Sequence, residues 1–320
     1  MKAAYLTQTG GPDVLRYGDI PDPVVGPGDV LIRNHAIAIE AGDLFHRRAG
    51  VVAGPFHVIG YQAAGVVEAV GSAVTRFVAG DRVTAFHWLG SHAELMAVPE
   101  ETVYAVPAAL DLVQAATVPV AFGTANEALF AIGGLSRGET VLLHGASSGV
   151  GIVAVQLAAA AGAHVIGTAS SEERLDRLRG LGMTAGVDRR GAGIAGRIAE
   201  AAQGQPINLY LEMAGDESCS DLLRLLPYRG RMVLVGLAPG HQVALDMMDV
   251  VMGGVTVHGM LFGKELGTPR VRATLAGLMD RMVTGEIAMP IDRIFPLADA
   301  AAAHHHAETG SPFGRIILQP

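Results

Sequence analysis

The residues best suited to chemistry gather in one short segment. Gly145-Ala146-Ser147-Ser148-Gly149-Val150-Gly151 follows the run ETVLLH (139–144) and opens an Ala-rich stretch, 149–161. A glycine at 145 permits a tight strand-to-helix turn. One at 149 lets backbone approach a pyrophosphate, and one at 151 lets the helix pack on its sheet. Unpaired N–H groups and the positive end of the helix then face the phosphates. The spacing is G-x-x-x-G-x-G, short of the strict dinucleotide fingerprint, so the strand–turn–helix setting supplies the rest of the signal.

The next strand selects among dinucleotides. An NAD site usually ends this strand with an acid that takes the ribose 2′-hydroxyl. Here the end reads GTASSEER, with Thr168, Ala169, Ser170 and Ser171 in the acid's place. Hydroxyls can donate to a 2′-phosphate without repelling it. Arg174 lies one turn further on and Arg189 ends the following strand, so the expected cofactor is NADPH over NADH. Other roles stay open: Ser170 with Glu173 reads as a capping box, and Arg174 also reads as a solvated helix face.

These residues need elements to hold them. Residues 1–118 are short apolar runs cut by Gly and Pro, the texture of a compact, mainly antiparallel β unit. From about 120 onward, strand-like and helix-like pieces alternate. Six strand candidates (139–144, 163–168, 185–188, 207–212, 230–236 and 255–260) are separated by helical stretches such as 192–203 and 216–226. That alternation means βαβ units and a doubly wound parallel sheet. In the tail, Val271, Leu275, Leu278, Met279 and Met282 recur at helical spacing over 269–284. A strand (IDRIFP), a helix (298–308) and a final strand (GRIILQP) follow, and His304–His306 read as a helix-surface triplet.

Composition narrows the classes. Twenty-three basic against 31 acidic residues give a net charge of −8, with no long basic run, which argues against nucleic acid or anionic membrane as partner. The apolar windows near 105–130 and 140–168 are broken by Asp111, Gln114, Asn126, Glu127, His144 and His164, so a bilayer span is not expected. A single cysteine, Cys219, excludes an internal disulfide and a Cys-rich zinc site. The expectation is a cytoplasmic protein.

At this point the whole chain resembles the quinone oxidoreductase group, zinc-free members of the medium-chain dehydrogenase/reductase superfamily. The matching segments are MKAAYLTQTGGPDVL, VIGYQAAGVVEAVGSAVTRFVAGDRV, GASSGVGIVAVQLA and GRIIL, in order. The resemblance implies a GroES-like, mainly β catalytic domain (1–119 plus 263–320) with a Rossmann NADPH-binding domain (120–262) inserted. It also implies a homodimer. In the zinc alcohol dehydrogenases of the superfamily, the metal sits on a Cys that begins C-x-x-D, on the His of G-H-E, and on a second Cys four residues before a Thr. Here those segments read Glu40-Ala-Gly-Asp43, Gly60-Tyr61-Gln62, and Val120 before Thr124. Tyr and Val are not plausible zinc ligands, so no metal is expected.

Without a Lewis acid the natural hydride acceptor is already activated. A quinone or an α,β-unsaturated carbonyl takes hydride at carbon and carries the charge to oxygen, so position and a few donors suffice. By the resemblance, the candidate catalytic residues are Tyr61, as donor to the developing oxyanion, Glu40, as its partner or a proton relay, and Gln62. Each also reads as a packed or hydrogen-bonded residue of the cleft. Asp43 is expected to fix the local turn or pair with Arg47. Many zinc-free relatives carry Asn at the Glu40 position and Tyr where Phe45 stands, so their tyrosine step is not available here. Thr124 matches the family threonine beside the nicotinamide. Gly236 and Leu237, and Met260 to Gly263 with Phe262, end the last two strands of the sheet, where ligands sit. Arg315 either reaches a cofactor phosphate or is a plain surface residue. Phe45, His87, Trp88, Leu261 and Phe262 could wall the substrate. Two alternatives accompany the reductase reading: an enoyl-thioester reductase, for which Arg47–Arg48 would be the basic patch, and a crystallin-like NADPH-binding protein with little catalysis.

Overall fold

The structure is a computed structural model that describes residues 1–236 and 244–320. The chain forms two compact units, Met1–Val120 with Gly263–Pro320, and Ala121–Phe262.

The first unit is mainly β. Among the described residues its larger sheet runs Ile291–Pro296, Arg315–Gln319, Asp29–Ala38, Gln62–Val70, Arg82–Phe86, Val103–Ala105, with Leu95–Pro99 also paired to Asp29–Ala38. The strand Asp29–Ala38 alternates buried and open positions along most of its length, as expected of a strand with one face on a core. Leu6, Ile32, Ile37, Ile59, Met96 and Leu318 fill that core. The two ends of the chain meet here, because the final strand pairs antiparallel with Asp29–Ala38, Ile317 opposite Ala38 and Leu318 opposite Ile37. Continued two residues further, this register sets Arg315 opposite Glu40.

The texture of the sequence did not reveal the helix Ala41–Ala49, whose polar HRR tail hides its periodicity. The helix Ala300–Thr309 corrects the reading of a surface triplet. His304 is fully buried, with its Nε2 3.0 Å from His92 Nε2, while His306 meets Asp292 at 2.7 Å and only His305 is exposed.

Among the described residues, the second unit carries a six-stranded, all-parallel sheet ordered Ala185–Asp188, His164–Ala169, Thr140–His144, Ile207–Glu212, Arg231–Leu234, Thr256–Gly259. Counted along the chain this is the order 3-2-1-4-5-6 of a doubly wound dinucleotide fold. Every residue of Thr140–His144 is buried, because helices cover both faces of a central parallel strand. On one face Leu142, Ile166, Tyr210 and Met232 pack with the helices Ile194–Ala201 and Cys219–Leu223. Both helices are shorter than the apolar stretches suggested. Among the described residues, no helix is long and apolar enough to cross a membrane.

Candidate active site

In the parallel-sheet unit the glycine loop is built as its spacing requires. Gly145 ends the strand with φ at +86°, a left-handed conformation that costs a side chain about 1–2 kcal/mol. Gly151 is needed for space, since a Cβ there would stand 2.6 Å from the Ala146 carbonyl oxygen. Ser148 caps the helix Gly149–Ala160, its hydroxyl accepting the Gly151 N–H at 3.1 Å. The N–H groups of Gly149 and Val150 belong to the first turn, which has no intrahelical acceptors. Gly145 and Ala146 donate elsewhere, to the Thr168 hydroxyl (3.1 Å) and carbonyl (2.9 Å). The left-handed turn, the missing Cβ and the open first turn fit a pyrophosphate.

The remaining expected residues of this unit differ in burial and in partners. Ser171, not Ser170, caps the helix Glu172–Arg179, accepting the Arg174 N–H at 3.4 Å. The capping box expected at Ser170 and Glu173 therefore does not form: the cap falls to Ser171, which has the extended backbone a cap needs, and the residue three further on is Arg174, which cannot complete a box. Ser170 is left half-buried at the strand end, with Arg174 half-buried one turn beyond. Arg189 follows the Ala185–Asp188 strand, is exposed, and lies 3.6 Å from the Asp216 carboxylate. Thr124 is buried on the short helix Gly123–Asn126. Gly236 and Leu261 are exposed and Phe262 is buried. Leu237 lies outside the described residues.

In the β unit, the positions that replace metal ligands form a closed polar network. Glu40 is 6% exposed, and its two carboxylate oxygens are both engaged. Oε1 accepts from Gln62 Nε2 at 2.7 Å, and Oε2 meets the Arg315 guanidinium at 2.6 Å. Gln62 in turn accepts the Val120 N–H at 2.9 Å. Burial pushes the Glu40 carboxyl up to about 7, against the pull of Arg315 and then Gln62. Arg315 is thus neither of the things expected, a phosphate contact or a plain surface residue, but a buried counter-charge: it is 8% exposed and paired with Glu40 within its own unit. Asp43 fixes the local turn, its Oδ2 accepting the Glu40 N–H at 2.8 Å. The alternative pairing with Arg47 does not form. Arg47 is fully buried and binds Gly10 O at 2.8 Å and Glu308, which also takes Arg48 at 3.0 Å.

Tyr61 stands beside this network inside an aromatic group. Its ring centroid is 5.6 Å from His46, 6.1 Å from Phe86 and 6.2 Å from Trp88, and Phe45 stacks on His46 at 6.4 Å. The phenol lies against Gly42, where a Cβ would overlap the ring. Burial, followed by the charges of Asp43 and Glu40, pushes the phenol up to about 12, so it is a donor at neutral pH. His87 turns its Nδ1 to the Leu89 carbonyl at 2.9 Å, and Trp88 is 41% exposed. Sequence reasoning missed His46 and Phe86 as members of this group. It also missed the hydrogen-bonding roles of His144, Thr168 and Asp216, which no local motif signals.

A zinc ion does not fit. Glu40 is the one carboxylate at the replaced positions, and both of its oxygens already have partners. Among the described residues, no group of three or more His, Cys, Asp or Glu could hold a metal.

Comparison with known proteins agrees with this architecture. Residues 26–108 match the alcohol dehydrogenase GroES-like domain, and residues 149–283 match the family described as zinc-binding dehydrogenase. The chain is 34% identical over 319 residues to a quinone oxidoreductase of Pseudomonas aeruginosa, covering 97% of each chain. It is 32% identical to a 2-haloacrylate reductase of Burkholderia sp, covering 99% of this chain and 98% of that one. A solved mycobacterial structure complexed with NADPH superposes with a TM-score of 0.92 at 30% identity, covering both chains fully. With a doubly wound sheet, a GroES-like unit and end-to-end similarity to such relatives, the chain belongs to the quinone oxidoreductase family of the medium-chain dehydrogenase/reductase superfamily.

Proposed function

We propose that the protein is an NADPH-dependent oxidoreductase that reduces a quinone or an α,β-unsaturated carbonyl without a metal. The observation that carries this reading is the pairing of a protonated phenol, Tyr61, with the rings of Phe45, His46, Phe86 and Trp88. A flat conjugated acceptor suits aromatic walls, and its developing oxyanion needs a neutral donor of this kind.

The residues proposed to hold the cofactor are Gly145 to Gly151 and Ser170, with Arg174 and Arg189 for the 2′-phosphate, and Thr124, Gly236 and Phe262 for the nicotinamide half. When bound, NADPH supplies the hydride that adds to the electron-poor carbon of the acceptor. The displaced electron pair moves through the conjugated system to oxygen. There Tyr61 donates a hydrogen bond, and a proton from solvent completes the product. Glu40 takes no proton step in this scheme. With Gln62 and Arg315 it forms a buried charge-and-hydrogen-bond network that holds the backbone beside Tyr61 in place.

The same reading includes a homodimer and a cytoplasmic setting. Thr256–Gly259 is the last strand in the sheet order, and Met247, Met248, Val251 and Met252 beside it in sequence are all more than 60% exposed. An open strand edge and an apolar helix face both favour pairing with a second copy. Sedimentation at twice 33.1 kDa is the expected result. The lone buried cysteine suits a reducing compartment. For the thioester alternative the basic patch shrinks to Arg48, since Arg47 is fully buried while Arg48 stays half exposed beside Glu308.

The test is NADPH consumption with 1,2-naphthoquinone and with a simple enone. Turnover is expected, and Tyr61→Phe should slow it about tenfold or more. Tight NADPH binding without turnover across a broad acceptor panel would instead favour the crystallin-like binder.

A further inference from the structure

The Thr140–His144 strand ends in a fully buried histidine at the foot of the glycine loop. Both ring nitrogens of His144 are engaged: Nδ1 is 2.8 Å from Thr168 Oγ1, and Nε2 is 3.0 Å from Asp216 Oδ2. The buried Thr168 hydroxyl also accepts the Gly145 N–H at 3.1 Å. Asp216 holds the Ser218 hydroxyl at 2.5 Å and the Arg189 guanidinium at 3.6 Å.

The hydrogens can be placed from what each group is able to do. Burial raises the Asp216 carboxyl, but bonds from Ser218 and His144 outweigh it and hold the group below its ordinary range. Asp216 is therefore an acceptor only, and His144 Nε2 carries the hydrogen. Gly145 donates into the Thr168 oxygen, so the hydroxyl hydrogen points to His144 Nδ1. A neutral imidazole gives a line in which every donor has an acceptor: Gly145 N–H to Thr168, Thr168 O–H to His144, His144 N–H to Asp216, with Asp216 facing Arg189.

This line has a definite place in the fold. Arg189 lies past the first strand in the sheet order and Asp216 past the fourth, so the contact crosses the carboxyl ends of the two strands between them. Those ends are where a doubly wound sheet takes its dinucleotide. Two residues earlier on the same two strands, the same face carries Leu142 and Ile166 in an apolar core. An imidazole and a hydroxyl in the next layer add no apolar packing. What they add is direction.

We propose that His144 and Thr168 are positioning residues of the cofactor site, tying the Gly145 turn to Asp216 and through it to Arg189. The proposal rests on the dinucleotide reading above and deepens it. Neither residue need touch the ligand.

Thr168→Val removes the hydroxyl at nearly constant shape and strands two buried polar groups, the Gly145 N–H and His144 Nδ1. Dissociation constants for NADPH and NADH, read by nucleotide fluorescence at 20 °C on the folded protein, should both rise about tenfold. Thr168→Ser should bring both back to within about twofold. A purely structural role would lower the melting temperature and leave both constants unchanged, and that result overturns the proposal. If Thr168→Val does not fold, Asp216→Ala breaks the line from its half-exposed end. NADH, which has no 2′-phosphate to confuse the result, should then bind about threefold more weakly, and unchanged NADH binding overturns the proposal. Failure of the dinucleotide reading itself looks different: the wild-type protein would bind neither nucleotide.

Discussion

Replacing Arg315 by Met leaves the Glu40 carboxyl buried with Gln62 alone. The guanidinium sits 2.6 Å from Glu40 Oε2, and the two side chains are 9% and 6% exposed, so solvent cannot take its place. Breaking one side of a buried pair costs about 3–5 kcal/mol. For a unit of this size each kcal/mol shifts the melting temperature by about 2–4 °C, so a fall of roughly 6–20 °C is expected. The loss should depend on pH in a definite direction. Glu40 already sits near 7 in the folded protein, above its ordinary 4.5. Folded Glu40 therefore holds more proton than unfolded Glu40 across that window. Its contribution is complete below about 4.5 and is lost as pH rises through 7. Without Arg315 nothing of opposite charge pulls the carboxyl down, so the loss deepens at higher pH. Thermal melts followed by circular dichroism at pH 5 and pH 8 should show a much larger deficit at pH 8. Adding Glu40→Gln to Arg315→Met removes the stranded charge and should recover most of the stability. A deficit of the same size at both pH values, or one under about 1 kcal/mol at pH 8, would refute the reasoning that Arg315 acts as counter-charge to Glu40.

Arg174→Ala should weaken NADPH binding by about tenfold or more while leaving NADH nearly unchanged, since hydrogen bonds to a charged group carry about 1.5–3 kcal/mol; equal losses for the two nucleotides, in the same fluorescence titration, would remove Arg174 from the 2′-phosphate. The buried pair His92 and His304 should make the protein sensitive to acid. Burial lowers His92 to about 3 and His304 well below 6.5, the latter helped by His92 and then by the charge of Arg47. Unfolded histidines bind protons first as pH falls from 6.5, so stability is present above that value and declines below it, by up to about 1.4 kcal/mol per pH unit for each histidine. Urea midpoints between pH 7 and pH 5 should fall more steeply for the wild type than for His304→Phe; parallel curves would show that the pair does not titrate on unfolding.

Much of the molecule was legible in the sequence wherever the determining contacts are local. Alternating strands and helices identify the doubly wound unit because periodicity is a property of a few consecutive residues. The glycine loop is legible for the same reason: the left-handed turn at Gly145 and the close passage of Gly151 over Ala146 lie within seven residues. The helix Ala41–Ala49 escaped notice because its polar tail gives no clean stripe. The cap at Ser171 differed by one position because two adjacent serines look alike until the backbone chooses one.

Composition and local spacing thus determined the fold class and the glycine loop, and the resemblance to the superfamily marked the positions where its metal ligands are replaced. Tertiary structure alone decided what the charged residues do. Arg315 could be read as a phosphate binder or a plain surface residue until the antiparallel register of the last strand set it against Glu40, 275 positions away in the chain. His304 looked like a surface residue until His92 closed over it. A charged or polar side chain takes its role from whatever partner lies within about 3 Å, and sequence does not record which distant residue that will be.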